Sequence, residues 1–252
     1  MTSMHSIRRE SHRVELMGRR WLSKQVFEIE LKQPEGFSFH AGQSIRVQCM
    51  ETEGDYCLVS SPEEPFLTLC ILHLPQGKIS SYLAAIEPGS VIEFTGPHGD
   101  FAFIPSTREK VFVATGIGII PFVSMVRSGV RGFTVLHGVS SPHELYYEAC
   151  FDRCGARFVP CVPKGSFQER GRQVPFPGSV TDYLVGELPR GEYDFYLCGD
   201  EAMVLDVYSV VDDLFLGSRV YSEIFFSRSM GQWQNRKPLV AAEGSGLTGR
   251  VR

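Results

Sequence analysis

Between Val26 and Phe94 the chain alternates apolar and polar residues in short runs. They are Val26-Phe27-Glu28-Ile29-Glu30-Leu31, Ser44-Ile45-Arg46-Val47-Gln48, Phe66-Leu67-Thr68-Leu69-Cys70-Ile71-Leu72 and Ser90-Val91-Ile92-Glu93-Phe94. A period of two turns successive side chains to opposite faces and predicts half-buried strands. Pro34-Glu35-Gly36 and Ala41-Gly42-Gln43 supply turns between them. Several short strands so punctuated predict an antiparallel barrel or sandwich from Val14 to about Ile104. One helical piece, Ser80–Ile86, interrupts the series, capped by serine and stopped by Pro88-Gly89.

Beyond Pro105 the texture changes to alternating strands and helices, which predicts a parallel sheet with crossovers. Strands are read at Val111–Thr115, Gly132–Gly138, Arg157–Val162, Asp194–Gly199 and Arg219–Phe226. Helices are read from Pro121, over Glu144–Phe151, from Ser179 to Leu184 and over Glu201–Phe215. The run Val111–Thr115 ends at Gly116, and Gly118 and Pro121 follow. A buried strand, a glycine turn and a helix start converge free backbone N–H groups on one point, which suits a phosphate or pyrophosphate. Plain β–α connections carry similar glycines, and Pro121 stands where the dinucleotide fingerprint has its third glycine.

Composition narrows the picture a little. The chain has 252 residues, 43% hydrophobic and 21% charged, with a formal net charge of −4. This suits two ordinary domains and gives no basic excess for nucleic acid. The N-terminus has charges without an apolar run behind them, and Val111–Val126 is too short and too broken to span a membrane, which needs about 20 apolar residues. These features predict a cytoplasmic protein. The seven cysteines are scattered, and the spacing of Cys150, Cys154 and Cys161 fits neither zinc nor iron–sulfur patterns. Ordinary thiols are expected and no metal.

The ordered signposts Phe39-His-Ala-Gly-Gln43, Tyr56-Cys-Leu-Val-Ser-Ser-Pro62, Gly77-Lys-Ile-Ser80 and Gly96-Pro-His-Gly-Asp-Phe101 resemble the flavin-binding barrel of the ferredoxin–NADP reductase family. The resemblance continues through Thr115-Gly-Ile-Gly-Ile-Ile-Pro-Phe122, His137-Gly-Val-Ser-Ser-Pro-His-Glu-Leu-Tyr146, Cys198-Gly-Asp-Glu-Ala-Met203 and Tyr221-Ser-Glu-Ile-Phe225. It implies a flavin-binding barrel over residues 10–106 and an NAD(P)-binding Rossmann-like domain over 107–228. Residues 229–252, with Trp233 as one anchor-like residue, are read as a flexible tail.

Site roles follow from the resemblance. In the barrel it implies flavin contacts from Tyr56, Cys57, Leu58 and Ser60, from Gly77, Lys78, Ile79 and Ser80, and from His73 on the preceding strand. In the second domain it implies nicotinamide-nucleotide contacts from Thr115, Gly116, Gly118, Cys198 and Gly199, with Phe225 or Phe226 over the flavin ring. Cys198, Glu223 and Cys57 are the candidate catalytic residues. Ordinary alternatives stand beside each: a barrel-wall tyrosine, an N-cap serine, a surface histidine, a strand-end carboxylate, a core phenylalanine.

Two departures affect the flavin site. Where the family has an Arg-x-Tyr-Ser strand, this chain has Gly54 and Cys57, so a guanidinium suited to phosphate is missing. Lys78 or Arg46 is the available substitute. At the positions that hold the 2′-phosphate in NADP users stand Ser140, Lys164 and Ser179, with Arg170 and Arg172 nearby, and the pattern leans to NADH over NADPH. The resemblance implies FAD, or FMN, as cofactor and a ferredoxin-like or other protein as acceptor. A free-flavin or ferric reductase, and a subunit without catalysis of its own, are the alternatives.

Overall fold

The computed structural model describes residues 11–165, 174–226 and 239–240. These residues form two compact units. One holds the chain up to Phe103 together with Ile120–Val130, and the other holds Ile104–Ile119 and the chain from Arg131 onward.

The first unit is built from β1 (Ser11–Trp21), β2 (Val26–Lys32), β3 (Ser44–Cys49), β4 (Thr52–Cys57), β5 (Phe66–Leu72), α1 (Lys78–Ala85) and β6 (Val91–His98). Their order in the sheet is β4-β3-β6-β1-β2-β5, with every neighbour antiparallel. A bridge between Leu58 and Leu69, and a bond from Val59 N–H to the Thr68 carbonyl (2.8 Å), join the two edges into a barrel. The alternation read from the sequence is the reason it closes. Phe27, Ile29, Leu31, Ile45, Val47, Leu67, Leu69, Ile71, Ile92 and Phe94 are all buried and share one core. Each such side chain contributes roughly 1.5–3 kcal/mol by leaving water.

Helix α1 starts at Lys78 with Gly77 as its N-cap residue and no side-chain cap. This corrects the expected serine cap. The Ser80 hydroxyl instead turns back into the Leu74–Gly77 turn, accepting from Leu74 N–H (3.1 Å) and lying 3.3 and 3.2 Å from the Leu74 and Gly77 carbonyls.

The second unit contains β7 (Glu109–Thr115), a 3-10 turn over Gly116–Ile119, β8 (Phe133–Gly138), α3 (Glu148–Arg153), β9 (Arg157–Val162), β10 (Phe176–Pro177), α4 (Val180–Gly186), β11 (Tyr193–Asp200), α5 (Glu201–Leu214), β12 (Arg219–Phe226) and β13 (Leu239–Val240). Helix α2 (Ile120–Arg127) follows the 3-10 turn and belongs to the first unit, where Ser124 donates to the Ser60 carbonyl (2.6 Å). The sheet order is β10-β9-β8-β7-β11-β12-β13, parallel except for β13. Strands β7 and β11 are buried along most of their length, as expected for strands covered on both faces.

Two further sequence expectations change. The helix expected over Glu144–Phe151 is a 3-10 turn at Pro142–Glu144 followed by α3, because Tyr147 adopts a left-handed conformation (φ 64°) between them. Leu239–Val240, within the stretch read as a flexible tail, pair with Ser222 and Tyr221; Trp233 lies outside the described residues. No helix among the described residues is long and apolar enough to cross a membrane. Nor does any group of three or more His, Cys, Asp or Glu among them stand ready to hold a metal ion.

Candidate functional site

The chain lays β8, β9 and β10 on one side of β7 and then returns to place β11 and β12 on the other. The strand order therefore reverses between β7 and β11. In open α/β sheets this switch point opens a crevice at the carboxyl ends of the strands, where ligands bind. The residues at those ends are Thr115-Gly116 and Cys198-Gly199-Asp200.

Two glycines let the two strand ends meet. A Cβ on Gly118 would lie 2.7 Å from Cys198 C and 2.8 Å from Gly199 Cα, closer than real Cβ atoms approach. Gly118 is thus a packing glycine that seats the turn on β11. A Cβ on Gly199 would collide with the Thr115 hydroxyl. Gly116 differs: its φ is 52° and a Cβ there would meet nothing within 4 Å, so its backbone borders open space. The opening N–H groups of a helical turn have no acceptor within the turn, and here they begin beside that space.

Thr115 and Asp200 lock the two ends together. The Thr115 hydroxyl donates to Asp200 Oδ2 (3.0 Å) and accepts from Asp200 N–H (3.2 Å). Asp200 also caps α5, with Oδ1 accepting from Met203 N–H (3.0 Å). From the other side, His137 on β8 is fully buried, and its Nε2 lies 2.8 Å from the Gly116 carbonyl. A carbonyl only accepts, so Nε2 carries the proton. Burial pushes this imidazole down to about 4, against the opposing pull of the Gly116 bond.

Cys198 and Glu223, both expected to be catalytic, are register partners on neighbouring strands β11 and β12. Cys198 is fully buried and Glu223 nearly so. The next pair is Gly199 with Ile224, and then Asp200 pairs with Phe226, which leaves Phe225 as the extra residue of a bulge. Bulges re-aim side chains next to functional sites, and Phe225 is half-buried.

The residues expected near the adenosine end are arranged less tightly. Ser140 is exposed, and its N–H donates to Glu144 Oε2 (3.0 Å). Ser179 is the N-cap of α4 and forms a capping box with Asp182. Lys164 is exposed, and its charge helps hold the Asp182 carboxyl below its usual range, after the Ser179 backbone and hydroxyl bonds. Arg170 and Arg172 lie outside the described residues.

In the barrel the structure brings Gly54, Tyr56 and Ile79 together. A Cβ on Gly54 would lie 3.1 Å from Ile79 Cδ1 and 3.3 Å from Tyr56 Cε2, so the Tyr56 ring leans over Gly54. Burial, then the neighbouring Asp55 charge, push the Tyr56 hydroxyl well above its ordinary value. Gly77 and exposed Lys78 begin α1 directly before Ile79, so helix start and aromatic ring border one region.

Arg46 does not stand in for the missing arginine. Its guanidinium forms a fork on Asp55 (2.7 and 2.7 Å) and reaches Glu53 (2.9 Å). Asp55 and Tyr56 are consecutive on β4 and point to opposite faces, so that fork lies on the side away from Tyr56.

Other expected flavin residues are engaged elsewhere. The Cys57 thiol is buried with its sulfur 3.7 Å from the Gly42 and Leu58 carbonyls. Leu58 is fully buried at the barrel closure. The Ser60 hydroxyl accepts from Thr68 N–H (3.1 Å). His73 packs edge-on to Trp21 (6.0 Å) and lies 3.4 Å from the Ser81 hydroxyl.

Two site residues were not singled out by sequence reasoning. Asp200 was legible as an acidic residue immediately before a helical pattern, the usual N-cap signal. His137 was legible as a polar residue inside an apolar strand, opening the segment His137–Tyr146, with no role of its own.

Comparison with known proteins agrees with this arrangement. Residues 14–103 match the family model described as an oxidoreductase FAD-binding domain, and residues 112–208 the one described as an oxidoreductase NAD-binding domain. Ferredoxin–NADP reductase B of Sorangium cellulosum (strain So ce56) is 33% identical over 139 residues, covering 52% of this chain and 57% of its own. The toluate 1,2-dioxygenase electron transfer component of Pseudomonas putida is 26% identical, covering 73% and 58%. The chain thus spans little more than half the length of these two curated relatives. Among solved structures, a ferredoxin NADP+ reductase from Neisseria gonorrhoeae with bound FAD and NADP superposes with a TM-score of 0.68 at 21% identity, covering 81% of this chain and 91% of its own. The flavohem-like FAD/NAD-binding domain of nitric oxide dioxygenase from Vibrio cholerae O1 biovar El Tor gives 0.71 at 19% identity, covering 85% and 98%. These two likenesses concern the fold. With an FAD-binding barrel followed by an NAD-binding α/β domain, the chain belongs to the ferredoxin reductase-like family.

Proposed function

We propose that this chain is an NAD(P)H-dependent flavoprotein reductase that passes electrons to a ferredoxin-like or other redox protein. The observation that carries the reading is the turn at the β7/β11 switch point, with Gly116 bordering open space and Gly118 seated on Cys198. It follows an FAD-binding barrel in the same chain.

The residues present fit a dinucleotide at the switch point. Gly116–Gly118 would hold the pyrophosphate by backbone N–H groups, and the side of the turn next to Gly116 has room for it. Cys198 and Glu223 would bound the nicotinamide at the ends of β11 and β12. Their work there is positioning and control of local charge.

The fit to a flavin is narrower. Tyr56 offers an aromatic face and a hydroxyl, and the start of α1 offers backbone N–H groups and Lys78. No cation stands at Gly54, and Arg46 is engaged by Asp55 and Glu53. When bound, a flavin supplies acceptance of two electrons together and their release one at a time. Among the described residues, Lys164 with Ser140 and Ser179 offers one charge at the ribose end, which favours NADH over NADPH. The seven free cysteines suit a reducing compartment such as the cytoplasm.

A second reading, a subunit that keeps the fold but does not turn over alone, is favoured by one observation: the Tyr56 ring covers the place of the missing arginine side chain. One experiment separates the two. The purified full chain is incubated with FAD or FMN, freed of excess, and titrated anaerobically with NADH and then NADPH while the flavin absorbance is followed. Retained flavin that bleaches with either nucleotide supports the reductase. A colourless protein that keeps neither flavin supports the second reading and removes the first.

A further inference from the structure

We propose that His137 is a positioning residue for the dinucleotide: by holding the Gly116 carbonyl inward, it aims the Ile117 N–H outward at the bound pyrophosphate. The inference rests on reading the Gly116–Gly118 turn as the nucleotide site, and it assigns a role to a residue outside that turn.

The argument begins with peptide geometry. The Gly116–Ile117 peptide is trans, so its C=O and N–H point in opposite directions. The carbonyl is directed at β8, where His137 Nε2 meets it at 2.8 Å. The Ile117 N–H must therefore point away from β8. Gly116 itself, at φ 52°, lacks the steric restraint of a side chain, and its Cβ position is empty to 4 Å. Without an anchor, this peptide plane would be the least restrained of the turn.

The choice of residue is informative. His137 sits in the core of the sheet, flanked by Leu136 and packed edge-on to Phe158 (6.0 Å). Its Nδ1 is buried with no hydrogen-bond partner. A phenylalanine would fill the same space without an orphaned ring nitrogen, so packing alone does not favour histidine. What histidine adds is the single donor on Nε2. Burial keeps the ring neutral near pH 7, and a neutral ring with Nε2–H has one donor, aimed at Gly116.

The test uses the full-length, flavin-loaded protein with ferricyanide as electron acceptor. His137→Phe removes the donor and keeps the shape, and His137→Gln keeps an amide donor. Two reductants are compared: NADH, which carries the pyrophosphate, and dihydronicotinamide riboside, which has no phosphate. Misdirecting one hydrogen bond to a charged group is expected to raise the KM for NADH in His137→Phe by roughly tenfold. The kcat for NADH and the kcat/KM for the riboside should stay within about twofold, and His137→Gln should recover most of the loss. An unchanged KM for NADH in His137→Phe, or equal losses on both reductants, overturns the proposal, since a merely structural role would lower Tm without separating them. Should His137→Phe not fold, the wild type decides. Its Ile117 amide proton, followed by NMR, should move downfield with ADP-ribose but not with nicotinamide riboside, and absence of that shift overturns the proposal. A wild type reduced by neither NADH nor NADPH removes the site reading and this proposal together. A wild type reduced normally beside an unaffected His137→Phe removes the proposal alone.

Discussion

Replacing Gly118 by alanine tests whether the nucleotide turn is held by packing. The added Cβ would stand 2.7 Å from Cys198 C and 2.8 Å from Gly199 Cα, and nearer still to the Cys198 carbonyl oxygen. These are backbone atoms of β11, which is paired on both sides by β7 and β12 and cannot move aside cheaply. Relief therefore has to come from the turn, which must rise by several tenths of an ångström or more. Overpacking of this kind costs typically 1–3 kcal/mol, and a rigid partner puts the cost at the upper end, about 3 kcal/mol. For a chain of this size that is a Tm lower by roughly 6–12 °C. Displacement on the order of 1 Å at a binding turn can lower kcat/KM by about a hundredfold. The control is Gly116→Ala, whose Cβ meets nothing but whose φ of 52° costs about 1–2 kcal/mol. Thermal unfolding and steady-state kinetics with NADH measure both. The reasoning is refuted if Gly118→Ala is the milder change in Tm, or if it leaves kcat/KM as in the wild type.

Stability should fall with acid through His137. Its folded-state value of about 4 lies below the ordinary 6.5, so between these the unfolded chain binds a proton that the folded chain does not. The loss amounts to about 3 kcal/mol when complete and sets in as pH drops below about 6.5. Urea titrations should show the advantage of wild type over His137→Gln shrinking from about pH 7 to about pH 4.5, and a constant difference would contradict this. Arg46→Ala should cost roughly 1–2 kcal/mol by leaving the half-buried Asp55 carboxylate alone. Because the fork faces away from Tyr56, FAD affinity measured by fluorescence quenching should stay within about twofold; a tenfold weakening would mean that Arg46 serves the flavin. Thr115→Val removes both bonds to Asp200 and should cost roughly 1–2 kcal/mol while raising the KM for NADH. Its bound-flavin absorbance should match the wild type, and a colourless variant would show damage beyond the switch point.

Much of the architecture was legible in the chain. The alternating runs at Val26–Leu31 and Phe66–Leu72 became β2 and β5, because period-two patterning sorts side chains to the core whatever the partner strand is. The runs at Val111–Ala114 and Asp194–Gly199 became buried parallel strands for a different local reason, since a nearly unbroken apolar run suits a strand covered on both faces. The glycine turn after β7 was legible too, since glycine after a buried strand signals tight backbone. What each glycine does was not. Gly116 and Gly118 read alike in sequence, yet one borders open space and the other is pressed on Cys198, more than seventy residues away in the chain. Ser80 read as a cap because it opens a helical pattern, but the preceding turn folded close enough to take its hydroxyl. Tyr147 broke an expected helix through a backbone conformation that its side chain does not announce. By itself, then, the sequence determined most of the strands and helices and the likeness to a flavin and nicotinamide reductase, because periodicity and local motifs act over a few residues. Only the tertiary structure decided the strand order that makes a switch point, the pairing of Cys198 with Glu223, the diversion of Arg46 to Asp55, and the reach of His137 to Gly116. Those depend on which strands lie side by side and in what register, which no local pattern states.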